Sequence, residues 1–175
     1  MKGTKRMFLT DTGRSQKPNM DRLIADYGAS LLRLCCLYLR DRAQAEDAVQ
    51  DTFIKVYEKY GSFEGRSSEK TWITAIAVNT CRNYLRNPWR RRNAGEEGLY
   101  LLEQATPELP DGTVIRAVMK LPAKYREVVL LAYYQELKLK EIADMLRLPL
   151  PTVATRLRRA RQMLKDELKE WYFDE

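Results

Sequence analysis

Arginine is the side chain with the most chemistry to offer here, and it is concentrated near the C-terminus. The segment Pro151-Thr152-Val153-Ala154-Thr155-Arg156-Leu157-Arg158-Arg159-Ala160-Arg161 carries four of them within six residues. A guanidinium can grip guanine O6 and N7 with two parallel hydrogen bonds, or neutralise a phosphate. Thr152, Thr155, Arg156 and Arg159 recur at i, i+3, i+4, i+7 spacing, so a helix would present them on one face, with Arg158 and Arg161 toward its edges. Acid–base and metal chemistry find little support. Histidine is absent, and Cys35, Cys36 and Cys81 lack metal-ligand spacing. Glu46, Asp47 and Asp51 sit within two turns of one another but have no third ligand cluster to join. We therefore expect no catalytic residue, no metal and no cofactor.

These arginines need a helix to position them. Val153, Leu157, Ala160, Leu164, Leu168 and Trp171 follow the 3.6-residue period and predict a buried stripe on the opposite side. A shorter amphipathic helix is predicted over Leu139 to Leu146, ahead of the break Arg147-Leu148-Pro149-Leu150. Two helices, a tight turn and a guanidinium-bearing second helix describe a helix-turn-helix at about 138–158, which points to reading duplex DNA in the major groove.

The charge is distributed in blocks. The net charge is +7, yet residues 61–93 carry seven cations against two acids, residues 94–112 carry five acids and no cation, and residues 113–175 carry thirteen cations against nine acids. Two basic blocks on an acidic connector suggest two DNA-contacting modules rather than a uniform polyanion coat. No apolar run approaches the ~18 residues of a membrane span, and the basic start of the chain lacks the apolar core of a secretion signal. Three cysteines without a pairing pattern read as buried reduced thiols, in keeping with a cytoplasmic protein.

An all-α fold of two small helical domains is expected. Residues 1–18 read as a disordered basic arm and 19–87 as a helical bundle. Within it, Leu23, Ile24, Tyr27, Leu31, Leu34, Cys35 and Tyr38 would share one face, followed by Ala45, Val49, Phe53, Val56, Tyr57 and Tyr60 after an Asp41 cap. Ile73, Ile76, Ala77, Thr80 and Tyr84 would follow after a cap at Ser67 or Ser68. Residues 88–112 read as a flexible linker with a transient turn near Leu99–Leu102. Residues 113–175 read as a second domain whose core begins with Val114, Ala117, Val118, Leu121, Tyr125, Val128, Val129, Ala132 and Tyr133.

Three segments, in this order, resemble the extracytoplasmic function (ECF) group of bacterial RNA polymerase sigma factors. Ala45-Glu46-Asp47-Ala48-Val49-Gln50-Asp51-Thr52-Phe53 is similar to the family's core-docking helix. Thr71 to Asn79 with Arg82-Asn83-Tyr84-Leu85-Arg86 is similar to its −10-element reader, and Leu121-Pro122 through Arg161 to its region four. The resemblance implies a dissociable polymerase subunit that recognises −10 and −35 promoter DNA and has no active site. It implies that Glu46, Asp47, Val49, Gln50, Asp51 and Phe53 meet polymerase core at the β′ clamp helices, and it implies the β flap as a further polymerase partner.

For the −10 element it implies Phe63, Arg66, Ser67, Lys70, Trp72, Asn79, Arg82, Asn83 and Arg86, with the loop Phe63–Ser68 as a pocket for a flipped base and Arg90, Arg91 and Arg92 on the backbone. For the −35 element it implies Thr152, Thr155, Arg156, Arg158, Arg159 and Arg161. It further implies an anti-sigma partner, often membrane-bound, while the chain itself makes no membrane contact. Three positions depart from the family's habit: Arg147 where a glycine is usual, Pro151 where a small residue is, and Ala154 where a lysine is common. Two other functions fit parts of the pattern: a helix-turn-helix regulator acting without polymerase, and a helical adaptor that binds proteins only.

Overall fold

The computed structural model describes residues 17–87 and 112–172, with side chains through Lys169. The expectations for the arm before Lys17, the linker at 88–111, the Leu99–Leu102 turn, the Arg90–Arg92 cluster and the side chain of Trp171 lie outside the described residues. Every described element is a helix or turn. They are α1 (Met20–Leu39), α2 (Arg42–Lys59), a 3-10 turn (Tyr60–Ser62), α3 (Glu69–Arg86), α4 (Gly112–Lys120), α5 (Ala123–Val129), a π turn (Leu130–Tyr134), α6 (Leu139–Leu146) and α7 (Leu150–Tyr172). Gly112 thus opens a helix rather than closing the linker.

Local chemistry sets these limits. The Asn19 side chain accepts the Arg22 amide at 3.0 Å, Asp41 the Gln44 amide at 2.9 Å, and Ser68 the Thr71 amide at 3.0 Å. Each satisfies an amide that the helix itself leaves unpaired. Of the two serines expected to cap α3, Ser68 does so. α3 stops at Arg86, and Asn87 is extended at ψ 114°, as a residue before proline prefers. Pro122 precedes α5 directly, and Pro151 lies in the first turn of α7, where a missing amide costs nothing. Arg147 ends α6 in the left-handed region at φ 55°, the conformation glycine would adopt without strain.

α1, α2 and α3 form one bundle around Leu23, Leu31, Leu34, Leu37, Val56, Ile73 and Val78, all buried. α4 to α7 enclose Ile115, Val118, Leu130, Leu131, Ile142, Val153 and Ala160. Each large apolar side chain so buried contributes about 1.5–3 kcal/mol. The two sets merge into one continuous core, because Leu37, Leu39 and Cys81 belong to the same cluster as Val118, Leu130 and Leu131. Cys35, Cys36 and Cys81 are free and buried, as expected, and burial pushes the Cys36 thiol up to about 11.

Three expected core residues are on the surface instead: Ile24 (49% exposed), Tyr57 (48%) and Tyr133 (51%). The apolar arc of α1 is wider than α2 and α3 cover, which leaves Ile24 and Tyr57 facing outward along the α1–α2 seam. Tyr133 lies in the π turn. There the extra residue per turn rotates the register, so that Leu130 and Leu131 point inward in its place.

Candidate functional site

The α1–α2 seam is an open apolar groove of about 840 Å³. Met20, Ile24, Gly28 and Leu32 line it from α1; Glu46, Val49, Gln50, Phe53, Ile54, Tyr57 and Glu58 line it from α2. Four of the six residues expected to dock on polymerase are therefore in it, namely Glu46, Val49, Gln50 and Phe53; Glu46 supplies an acidic edge together with Glu58, which was not in the expected set, and Phe53, itself buried, supplies the floor. The other two are not. Asp47 is exposed outside the groove, and the Asp51 carboxylate accepts the Tyr84 hydroxyl at 2.8 Å, which ties α2 to α3. The spacing of Asp51 fits the acidic set, and within the bundle one of its oxygens serves Tyr84. The contribution of α1 to this groove is an addition from the tertiary structure, and its one signal in the sequence is the surplus of apolar residues on the face of α1, Ile24 among them.

The candidate −10 surface runs from the loop Phe63–Ser68 along α3. Phe63 and Trp72 pack with ring centroids 4.9 Å apart, and Tyr60 meets Trp72 edge-on at 6.0 Å. Trp72 is half-buried: one side joins the core and the other joins this aromatic wall. Arg66 and Glu64 are exposed and pair with each other at 2.5 Å, and Gly65 takes φ 68° at the loop tip. Ser67 is half-buried, its hydroxyl turned to the Ser68 carbonyl at 3.3 Å. Asn79, Asn83 and Arg86 are exposed along the helix.

Behind the loop, Glu69 collects four hydrogen bonds. Arg22 donates through Nη1 at 3.0 Å and Nη2 at 2.8 Å, Tyr27 at 3.0 Å and Tyr60 at 2.6 Å. With donors crowding both oxygens, the carboxyl is held down to about 2, chiefly by the Arg22 hydrogen bonds. Glu69 carries no signal of its own in the sequence, because its partners Tyr60 and Arg22 lie 9 and 47 residues away.

Two cations of this surface are already engaged. Arg82 forms a two-pronged ion pair with Glu127 of α5, at 2.9 and 2.8 Å, and the buried Tyr38 hydroxyl donates to the same carboxylate at 3.2 Å. Lys70 lies 3.9 Å from Glu136. Nearby, Thr71 donates to Glu141 at 2.7 Å, the Gln135 amide reaches the Ser30 hydroxyl at 3.2 Å, and Arg40 donates to the Met119 carbonyl at 2.7 Å. The two halves are thus joined by polar contacts as well as by a common core.

The −35 candidates behave as the spacing predicts. Thr152, Thr155, Arg156 and Arg159 line one recess of about 320 Å³, together with Lys124, Tyr125 and Pro151. Arg158 is exposed outside it, and Arg161 donates to the Tyr133 hydroxyl at 2.5 Å. Lys124 and Tyr125 come from α5 and were not foreseen as part of this site; the Arg159 hydrogen bond and the Lys124 charge lower the Tyr125 hydroxyl's pKa. Val153, Leu157 and Ala160 are buried behind the recess. Among the described residues there is no cluster that could hold a metal ion, and no helix long and apolar enough to cross a membrane.

Residues 23–91 match the family description "Sigma-70 region 2", and residues 112–164 match "Sigma-70, region 4". The chain is 32% identical to the ECF RNA polymerase sigma factor SigW of Bacillus subtilis over 160 residues, covering 82% of this chain and 86% of that protein. It is 30% identical to the RNA polymerase sigma-H factor of Pseudomonas aeruginosa over 172 residues, 89% of each. Two solved structures share the fold. CnrH in complex with the cytosolic domain of CnrY has a TM-score of 0.65 at 23% identity, covering 86% of this chain and 88% of that one. The sigma factor RpoE of Bartonella quintana, in complex with the anti-sigma factor NepR, has 0.63 at 24%, covering 85% and 98%. With both regions matched in order, and with relatives at this identity along most of their length, the chain belongs to the extracytoplasmic function group of RNA polymerase sigma factors.

Proposed function

We propose that this sigma factor divides promoter recognition among three surfaces: the α1–α2 groove for polymerase core, the loop Phe63–Ser68 with α3 for the −10 element, and the α5–α7 recess for the −35 element. As a family member it is a non-enzymatic initiation factor that binds core polymerase and directs transcription from particular promoters. Nucleotide chemistry belongs to the polymerase, and the chain's contribution is binding and DNA opening. The observation that carries the division of labour is the partition of surface chemistry. The groove is apolar with an acidic edge, whereas both DNA candidates are lined by cations, amides, hydroxyls and aromatic rings.

An apolar trough edged by Glu46 and Glu58 suits a basic-apolar helical partner, with charge giving orientation and burial giving affinity. The β′ clamp helices are the polymerase element assigned to it, and residues 113–175 are assigned the β flap. An anti-sigma protein is the proposed regulator, supported by the complex in which the structurally similar RpoE was solved; a membrane-anchored form of it would hold the factor near the membrane. The work of the factor itself is then cytoplasmic, where polymerase and promoter are.

Run-off transcription tests the scheme. Core enzyme alone should give no promoter-specific transcript, and adding the chain should start synthesis at defined sites. Ile54→Asp and Tyr57→Asp, at two exposed groove residues, should abolish that transcript and co-purification with core while leaving −35 duplex binding by the free chain intact. A transcript that survives both substitutions would remove the groove from the scheme. DNA binding without any transcript from competent core would favour a regulator that acts apart from polymerase.

A further inference from the structure

Glu69 stands at the first position of α3, yet Ser68 already caps that helix, and a solvated acid would suffice to complement the helix dipole. Its side chain instead turns back, is only 19% exposed, and gathers donors from two other elements: Arg22 and Tyr27 on α1, and Tyr60 on the 3-10 turn. A carboxylate with four donors is a rigid junction, because rotating it breaks several charge-assisted bonds at once. What it holds matters more than how tightly. Tyr60 is the near post of the loop: its carbonyl accepts the Phe63 amide at 3.0 Å, and its ring lies 6.2 Å from Phe63 and edge-on to Trp72. For residues 64–67, inside the loop, the described side-chain contacts are short-range ones, Arg66 to Glu64 and Ser67 to Ser68. The aromatic wall of the loop is therefore set at one end by Tyr60 and, behind it, by Glu69.

We infer that Glu69 is a positioning residue for capture of the −10 element: through Tyr60 it presets the Phe63–Trp72 wall on which an unpaired base would stack. This rests on assigning the loop Phe63–Ser68 to −10 DNA. Stacking on rings already in place avoids the cost of ordering them on binding, so the wall's order adds directly to base affinity. Arg22 and Tyr27 extend the same junction to α1, so the wall is referenced to the helix that also lines the polymerase groove.

The test uses holoenzyme assembled from core and the full chain, on promoter DNA pre-opened across the −10 element, with native or substituted −10 bases. Tyr60→Phe keeps the ring and removes only the hydroxyl that Glu69 accepts, so it guards against a misfolded Glu69→Ala. The preference for native over substituted bases should fall about tenfold in Glu69→Ala and about threefold in Tyr60→Phe. Glu69→Gln, which keeps one acceptor oxygen, should lie between wild type and alanine. Core affinity and −35 duplex affinity should stay within twofold of wild type. If all three variants keep the full preference while their melting temperatures drop, Glu69 is scaffold and the inference is overturned. Failure of the loop assignment has another signature: Phe63→Ala and Arg66→Ala would leave the preference untouched in an otherwise wild-type chain, removing the inference and its premise together.

Discussion

The two surfaces proposed for DNA use similar residue types in opposite states. On α7, no carboxylate pairs with Arg156, Arg158 or Arg159 among the described residues, and Arg159 has the Tyr125 hydroxyl for a neighbour. On α3, Arg82 is locked to Glu127, Lys70 stands near Glu136, and the loop is braced through Glu69. Duplex DNA offers a regular surface, so free guanidiniums on a rigid helix suffice to meet it. An unpaired strand offers no fixed shape, so its reader must supply the order itself, and internal hydrogen bonds are the means. Arg82 adds a further distinction: two of its nitrogens are already spent on Glu127 of α5.

The sharpest way to break this comparison is at the free surface. Arg156→Ala or Arg159→Ala should narrow the affinity gap between a cognate −35 duplex and a scrambled one by about 1–3 kcal/mol each, measured by fluorescence anisotropy at fixed salt. Equal weakening on both duplexes would make these residues phosphate contacts and leave the recess without a base reader. At the locked surface, Arg82→Ala, Glu127→Ala and the double substitution form a cycle in thermal or denaturant unfolding. A coupling of about 0.5–3 kcal/mol is expected, with Glu127→Ala the costlier single change because it also strands the buried Tyr38 hydroxyl. Strict additivity would dissolve the contrast between free and engaged arginines.

The smallest effect concerns pH. Glu69's folded-state pKa is depressed to about 2 from an ordinary 4.5, so its stabilising contribution is present above 4.5 and is lost as pH falls toward 2. Glu69→Gln should therefore flatten the decline of melting temperature across that window by roughly 2–4 °C relative to wild type. Parallel curves would mean that the carboxylate junction does not hold in solution.

Much of this organisation was legible in the residues. Caps, proline positions and 3.6-residue periods mark helix limits because they act within a few residues of chain. Asp41 is legible as a cap, the α3 cap is narrowed to Ser67 or Ser68, and the pattern places α6 over Leu139–Leu146, the span it occupies; the Asn19 cap comes from the structure. The face Thr152, Thr155, Arg156 and Arg159 was equally readable, since one helix fixes all four. Errors fell where a second element decides the outcome. Ile24 and Tyr57 look like core by period but lie where no neighbour covers them, and the π turn at Leu130–Tyr134 exchanges Tyr133 for its neighbours. Lys124 and Tyr125 reach the recess around Arg156 and Arg159 from α5, a helix earlier in the chain than the recess-bearing α7.

What the amino-acid order by itself determined is the inventory: an all-helical chain, where most of its helices begin and end, and which stretches carry cations, acids or rings. These follow from interactions a few residues long, which a linear reading can sum. Only tertiary packing decided how that inventory is spent. It turned Asp51 toward Tyr84, bound Arg82 to Glu127 across forty-five residues, and gathered α1 and the 3-10 turn around Glu69. Such pairings depend on distance in space, and a carboxylate's nearest donor in three dimensions has no signature in its sequence neighbourhood.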